Sequence, residues 1–185
     1  MVSRPASPRI APLPAAERTP SVQALLDGVT VAGPEANIFT TIVRAEGVAR
    51  KWLPFGGKLL NGKIPARDRE LLILRTGWNC GSEYEWAQHV VIGRAAGLTD
   101  EEILRITAGP VGDWNHFDSI LLRAADELHQ DWCITDPTWA ALAEVYDAQQ
   151  LIEVPLLVGH YHMVAMTLNS LGVELDVGLS GFPED

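Results

Sequence analysis

The sequence has 185 residues, of which 47% are hydrophobic and 21% are charged. This length fits one domain and this composition fits a globular protein, so an intrinsically disordered or fibrous chain is excluded. The 14 basic and 24 acidic residues give a formal net charge of −10. Because this charge repels phosphate groups, we expect neither nucleic acid nor a membrane surface as a partner.

Cys80 and Cys133 are the two cysteines of the sequence, and no C-x-x-C motif is present. Two isolated cysteines cannot build a disulfide framework or a cysteine-clustered zinc site, so a reducing compartment fits them best. The first 20 residues lack the apolar stretch of a secretory signal. We therefore expect a cytoplasmic protein.

Five prolines lie within the first 20 residues, and they deny regular hydrogen-bonded structure to this stretch. We predict an extended arm over residues 1–20, able to lie across a partner, and a single domain over residues 21–185. From Ser21 onward the apolar residues recur every three or four positions, without convincing period-two alternation. This pattern predicts an all-α domain, a single-domain helical bundle.

The first long helical segments follow the arm. Residues 36–60 predict one long or two short helices that end near Gly56 and Gly57. The next helix is expected to have Pro65 at or near its first turn, where proline is well tolerated, and to run to about Trp78.

Two capping patterns predict the starts of the next two helices. Ser82 and Glu85 form the S-x-x-E pattern of a capping box, which predicts a helix that runs to about Ala96. Thr99 and Glu102 repeat this pattern for a short helix. Further helices are predicted over 116–130, from Asp136 as the cap, and over about 148–170.

The last predicted helix is the most apolar part of the sequence. Residues 151–173 are long enough to span a bilayer, but they contain Glu153, Pro155, His160 and His162, so we interpret this segment as a core helix. The helix is apolar nearly all round, and a second subunit is the simplest cover for such a surface. We therefore expect a symmetric homo-oligomer.

Glu70 is a candidate catalytic residue because it shares the apolar stripe of its predicted helix with Ile73 and Leu74. Desolvation of a carboxyl group tends to raise its pKa, which suits proton transfer near neutral pH. The alternative is an ion pair with Arg67, Arg69 or Arg75.

Glu85 and His89 are further candidates, because residues four positions apart share one helix face. A carboxylate that holds an imidazole sets its tautomer and orientation for acid–base catalysis. The alternative is that Glu85 only caps its helix. His160 and His162 are two positions apart, so at most one of them faces the same pocket.

Glu70, Glu85 and His89 can in principle bind a metal, but the two E-x-x-H units of a di-iron bundle are absent. The sequence also lacks a Gly-rich phosphate loop, a G-x-S-x-G motif and an H-E-x-x-H motif. We therefore predict no metal site.

One ordered set of motifs carries a family resemblance. Over about residues 65–108 the sequence resembles the carboxymuconolactone decarboxylase family, within the superfamily of alkylhydroperoxidase D-like proteins. The matching residues are Arg69-Glu70, Glu83-Tyr84-Glu85, His89, Gly97, Thr99 and Glu101-Glu102-Ile103. The peroxidase branch carries paired thiols at the positions of Ser82 and Glu85, so this chain lacks that dithiol and is more similar to the decarboxylase branch.

The resemblance implies an all-α protein, assembled as a trimer or hexamer, that uses no cofactor. It implies decarboxylation of a small unsaturated lactone acid, a small-molecule substrate of aromatic-compound catabolism. In this scheme His89 donates a proton, Glu70 relays it, and Glu85 orients His89 or acts as a second acid–base group.

A substrate carboxylate beside two acidic residues needs compensation by an arginine or by a neutral carboxyl group. Arg44, Arg50 and Arg75 are the candidate arginines. Trp52, Trp78 and Trp86 either suit a more apolar substrate or fill the core.

Two other functions remain open at this point. One is a thiol peroxidase that uses Cys80 as its only nucleophile, which requires an accessible thiolate of low pKa. The other is a non-catalytic oligomeric binding protein that keeps the fold.

Overall fold

The computed structural model describes residues 4–29 and 35–183, and all regular structure in them is helical. This confirms the predicted all-α class. The nine α-helices of the described residues are α1 Pro20–Asp27, α2 Asn37–Ile42, α3 Glu46–Leu60, α4 Ala66–Asn79, α5 Glu83–Ala95, α6 Asp100–Ile106, α7 His116–Gln130, α8 Asp136–Ala143 and α9 Ala148–Leu171.

Helix α4 is the central element of the bundle, because it packs against α5, α7 and α9. Four consecutive residues of α4, 71–74, are fully buried, which shows that the helix is covered on all sides. Burial of each such aliphatic side chain stabilises the fold by about 1.5–3 kcal/mol. A polar side chain next to this buried stretch, such as Glu70, is therefore surrounded by protein.

The turn between α4 and α5 sends the chain back along α4. Gly81 has a φ of 58°, a left-handed conformation that glycine adopts without strain. At the far end of α5, a Cβ on Gly93 would lie 3.1 Å from Leu98 and 3.3 Å from Leu74. The missing side chain thus lets α5 approach α4 closely.

The two predicted capping boxes have different outcomes. Thr99 and Glu102 form the full reciprocal box at the start of α6, as predicted. At the start of α5, Ser82 makes no side-chain cap hydrogen bond. The capping box predicted from Ser82 and Glu85 was therefore wrong, because Ser82 is completely buried and Glu85 is directed into the bundle.

Two predicted helix boundaries also differ. Over the predicted range 36–60 the structure has two helices, α2 and α3, which is one of the two predicted arrangements. Helix α3 does not end near Gly56 and Gly57 but continues to Leu60, because tertiary packing against α9 overrides the low helix propensity of glycine. Helix α8 contains Asp136 as its first residue, and Thr135 occupies the cap position.

Helix α9 is the one described helix that is long and apolar enough to cross a membrane by length and composition, and half of that apolar window is buried. It packs against α3, α4, α5, α7 and α8. The helix is therefore part of the core.

The described part of the N-terminal arm packs against the helical domain of the same chain. The Arg9 N–H donates to the Leu171 carbonyl at 2.8 Å, and the Leu13 N–H donates to the Thr40 carbonyl at 2.8 Å. The Leu13 side chain packs on a small cluster formed by Val22, Leu26, Val43 and Ala49, whereas Ile10 remains exposed. The Leu13 side chain is thus packed within its own chain.

Candidate functional site

Glu70 lies in the middle of a buried hydrogen-bond network between α4 and α5. Its Oε2 is 2.6 Å from His89 Nδ1, and its Oε1 accepts a hydrogen bond from Arg69 Nε at 2.9 Å. Arg69 also donates from Nη1 to the Leu60 carbonyl at 2.7 Å. Of the three arginines suggested as partners, Arg69 is therefore the one that pairs with Glu70. His89 binds the other oxygen of the same carboxyl group.

The hydrogen bond to Glu70 defines which nitrogen of His89 is free. In a neutral ring, the Nδ1–H donates to the carboxylate and Nε2 keeps its lone pair. The edge of the ring meets Tyr161, with ring centroids 4.9 Å apart at 89°. His89 Nε2 makes no hydrogen bond within residues 4–29 and 35–183, so it is available for proton transfer.

Glu85 has the opposite surroundings. It is buried, and within the described chain neither of its carboxyl oxygens has a hydrogen-bond partner. Burial raises the pKa of this carboxyl group well above its ordinary value. The fold therefore favours the neutral, protonated form of Glu85.

Gly77 of α4 makes room for the Glu85 side chain. A Cβ at Gly77 would lie 3.2 Å from Glu85 Oε1. Burial, and then the nearby carboxyl groups of Glu70 and Glu85, raise the pKa of Tyr161 well above its ordinary value. The two carboxyl groups and the Tyr161 phenol thus share one region between α4, α5 and α9.

The expected contact between Glu85 and His89 is absent from the described residues. The two share a face of α5, but the His89 ring is bound by Glu70 and the Glu85 carboxyl group lies against Gly77. The carboxylate that orients the imidazole is therefore Glu70 and not Glu85.

The other two candidate histidines diverge, as their spacing predicts. His160 stacks on Trp52 with ring centroids 5.7 Å apart, and its buried Nδ1 has no partner within the described residues. Burial lowers its pKa. Its ring also meets Tyr161 at 5.3 Å, so a row of rings leads from Trp52 through His160 and Tyr161 to His89.

The three candidate arginines have partners outside this region, whereas the three candidate tryptophans are divided between the row of rings and the core. Arg44 donates to backbone carbonyls of the arm, Arg50 pairs with Glu46, and Arg75 pairs with Asp126. Each of these arginines is therefore bound to a partner outside this region. Trp78 and Trp86 pack with Phe182 and fill the core.

Two surface cavities lie beside the site residues and not over them. One of about 710 Å³ is bordered by Arg4, Tyr84 and Asn169, and one of about 310 Å³ by Trp86 and Arg94. Glu70, Glu85 and His89 line neither cavity, and they are 0%, 2% and 6% exposed. Neither cavity therefore gives a ligand direct access to these side chains.

Cys80 caps the C-terminus of α4 and is half-buried. Burial, and then the Glu85 carboxyl group, raise the pKa of its thiol to about 12. At neutral pH this group is therefore a thiol and not a nucleophilic thiolate.

Comparisons with known proteins agree with this architecture. Residues 46–127 match the model of the carboxymuconolactone decarboxylase family. No curated protein matches the sequence significantly.

Three solved structures share the fold at low sequence identity. An alkylhydroperoxidase AhpD core protein from Ralstonia eutropha JMP134, a peroxidase-related protein, is 16% identical over 95% of both chains, with a TM-score of 0.79. The debrominase Bmp8, in a cysteine-to-alanine variant with bound 2,3,4-tribromopyrrole, is 13% identical over 91% of both chains, with a TM-score of 0.77. The AhpD-like protein ATU0492 from Agrobacterium tumefaciens is 15% identical over 73% of this chain and 95% of its own, with a TM-score of 0.67.

The structural matches define an all-helical protein of the alkylhydroperoxidase D-like fold. The match over residues 46–127 shows in addition that this segment is similar to the carboxymuconolactone decarboxylase family. One of these three structures is that of an enzyme, the debrominase Bmp8.

Proposed function

We propose that the protein is a cofactor-free acid–base enzyme, a carbon–carbon lyase that decarboxylates a small lactone or cyclic acid in aromatic-compound catabolism. The observation that carries this proposal is the buried hydrogen bond between Glu70 Oε2 and His89 Nδ1, at 2.6 Å. A carboxylate that fixes one imidazole nitrogen prepares the other nitrogen for proton transfer.

The reaction needs one proton. When the carbon–carbon bond to the carboxylate breaks, CO₂ leaves and its bonding electrons remain as a dienolate. The protonated Nε2 of His89 donates its proton to the dienolate carbon, and the ring regains a proton from water before the next turnover. Glu70 stabilises the protonated ring, and Arg69 offsets the charge of Glu70.

Glu85 completes this scheme as a neutral acid. A protonated carboxyl group donates a hydrogen bond to a substrate oxygen without adding the negative charge that would repel a carboxylate substrate. The burial and missing partners of Glu85 support this role. The pair of Glu70 as an ion and Glu85 as an acid thus removes the need for a further arginine.

Substrate entry requires an opening, because the three side chains are enclosed. The row of rings from Trp52 to His89 supports an entry route between α3 and α9. Phe55, which meets His160 at 5.4 Å, is exposed at the outer end of this row.

The test is a screen of the purified protein against unsaturated lactone acids, with CO₂ release as the readout. We expect turnover of at least one of them and a loss of at least about a hundredfold in kcat for His89→Gln, since general acid–base catalysis contributes that much or more. His116→Gln is the matched control, because His116 is exposed on α7. Equal turnover by the wild type and His89→Gln would contradict the proposal.

A thiol peroxidase that uses Cys80 is the second candidate, and the proximity of Cys80 Sγ to His129 Nδ1, 3.9 Å, is the observation in its favour. Iodoacetamide labelling in the presence of a chelator distinguishes the two. With a pKa of about 12, Cys80 should react far more slowly at pH 7 than the exposed Cys133. Fast labelling of Cys80 would favour the peroxidase.

We also propose that the chain forms a homo-oligomer, a trimer or hexamer by family resemblance. An exposed apolar stripe on α9 supports this proposal; its members are Ile152, Leu156, Met163 and Met166. Light scattering should give a mass well above the 20.2 kDa of one chain, and Leu156→Glu should lower it. Val177→Glu, at an exposed position outside α9, is the control. A monomeric wild type would contradict the assembly.

A further inference from the structure

A second cluster of reactive side chains lies outside the Glu70 and His89 site. Cys80 follows the end of α4, His129 lies in the last turn of α7, and His162 lies in α9. The Cys80 Sγ, His129 Nδ1 and His162 Nε2 atoms all lie within 4.8 Å of one another. Because α4, α7 and α9 pack together in the core, the fold itself holds the three groups at this spacing.

The hydrogen bonds of the two histidines orient their donor atoms. His162 Nδ1 is 2.9 Å from the Val158 carbonyl, which can only accept, so this nitrogen carries the proton. His162 Nε2 therefore presents a lone pair to the cluster. It lies 2.9 Å from His129 Nδ1, which must donate when both rings are neutral. A backbone carbonyl behind a histidine is a common second partner of metal-binding imidazoles.

The backbone of Cys80 is also held in place. Its carbonyl accepts a hydrogen bond from Arg4 Nη2 at 2.8 Å and one from Asn169 Nδ2 at 3.1 Å. All three members of the cluster are only partly buried, so an ion can reach them from solvent.

The spacing suits a tetrahedral ion after a small adjustment. Zinc bonds of about 2.3 Å to sulfur and about 2.0–2.1 Å to nitrogen place two nitrogens about 3.3 Å apart and a nitrogen and a sulfur about 3.5 Å apart. The observed separations are 2.9 Å between the two nitrogens and 3.9 Å between Cys80 Sγ and His129 Nδ1. Each of these two separations has to change by about 0.4 Å, and the third, between Cys80 Sγ and His162 Nε2, lies within 4.8 Å and has to become about 3.5 Å.

We propose that Cys80, His129 and His162 bind one Zn²⁺ ion through one thiolate and two imidazole nitrogens. This donor set is typical of zinc and unsuited to magnesium or calcium, which prefer oxygen ligands. Binding releases the thiol proton as the zinc–sulfur bond forms, and the His129 proton moves from Nδ1 to Nε2. Three protein ligands leave a fourth position for water or a ligand.

The test is metal binding to the full chain after removal of bound metals with a chelator. Co²⁺ serves as the spectroscopic probe, and Zn²⁺ is then titrated in competition with a chromophoric chelator. We expect one Co²⁺ per chain, with a thiolate-to-cobalt charge-transfer band that Zn²⁺ abolishes. The Cys80→Ser variant should lose the band, and His162→Gln should bind Zn²⁺ at least about tenfold more weakly.

Cys133→Ser and His116→Gln are the matched controls, because both residues are exposed and lie outside the cluster. Both should bind Zn²⁺ as the wild type does, and circular dichroism should show that all four variants keep their helices. The absence of a charge-transfer band in the wild type, its loss in Cys133→Ser, or unchanged Zn²⁺ affinity in both Cys80→Ser and His162→Gln would overturn the proposal. Each readout is independent of turnover at His89.

Discussion

Two buried carboxyl groups on neighbouring helices have opposite surroundings. Glu70 on α4 contacts a guanidinium group and an imidazole, whereas within the described chain Glu85 on α5 has no hydrogen-bond partner for either oxygen. Similar burial therefore has different consequences. The network around Glu70 supports an ion, and desolvation favours a neutral acid at Glu85.

This difference is useful for catalysis and costly for stability. Separating the protonation states of two nearby carboxyl groups is how an active site provides an acid and a base at one pH. A buried polar group without a partner costs about 1–3 kcal/mol. No hydrogen bond within the described residues offsets this cost at Glu85, which favours the proposed catalytic use of Glu85 over the non-catalytic alternative.

The largest expected effect is the loss of Glu70. In Glu70→Ala, Arg69 and His89 lose their shared partner in the interior, so the free energy of unfolding should fall by about 3–5 kcal/mol. Urea denaturation measures this loss. Asp100→Ala, which removes the exposed ion pair with Arg94, is the control and should cost less than about 1 kcal/mol. A Glu70→Ala loss as small as the control would mean that the buried network is not formed.

A smaller effect, of opposite sign, is expected at Glu85. At pH 7, Glu85→Gln should increase the free energy of unfolding by about 1–3 kcal/mol, because the unfolded wild-type chain gains an ionised carboxylate that the folded chain cannot accommodate. The same variant should lose turnover if Glu85 acts as an acid. Urea denaturation of both proteins gives the difference.

The pH dependence of this difference follows from the raised pKa. Below the ordinary carboxyl pKa of 4.5, Glu85 is protonated in both the folded and the unfolded chain, so its ionisation does not lower the free energy of unfolding of the wild type. As pH rises above that value, the unfolded chain ionises while the folded one stays neutral, so wild-type stability falls relative to Glu85→Gln by up to about 1.4 kcal/mol per pH unit. A difference that shrinks or stays constant between pH 5 and pH 8 would contradict the burial argument.

The smallest effects are expected at the starts of α5 and α6, which have the same capping-box sequence pattern. Thr99→Ala should destabilise the protein by about 1 kcal/mol, because the Thr99 hydroxyl accepts a hydrogen bond from the Glu102 N–H. Ser82→Ala should be neutral or slightly stabilising, because the buried Ser82 hydroxyl has no partner within the described residues. Thermal unfolding of both variants measures the contrast, and equal losses would mean that Ser82 does cap α5.

The sequence predicts most of the helices because apolar periodicity and capping residues are local signals. Helix α7 and the start of α9 lie where the spacing of apolar residues places them. Glu70 was also identifiable, since a carboxyl group on an apolar stripe must be buried. The continuation of α3 through Gly56 was not, because it depends on packing against α9.

The site itself is less accessible to sequence reasoning. Glu85 occupies a capping position by pattern, and only the missing side chain at Gly77 of a different helix shows where its carboxyl group goes. The cluster of Cys80, His129 and His162 has no local motif, because its members are 49 and 33 positions apart. Such contacts depend on how helices pack, and no spacing within one helix encodes them.

Infrared spectroscopy distinguishes a neutral Glu85 from an ionised one, because a protonated carboxyl group has a carbonyl stretching band that a carboxylate lacks. The wild type at pH 7 should show one such band, which should disappear in Glu85→Gln and persist in the matched variant Glu70→Gln. Absence of the band from the wild type, or its loss in Glu70→Gln but not in Glu85→Gln, would contradict a neutral Glu85.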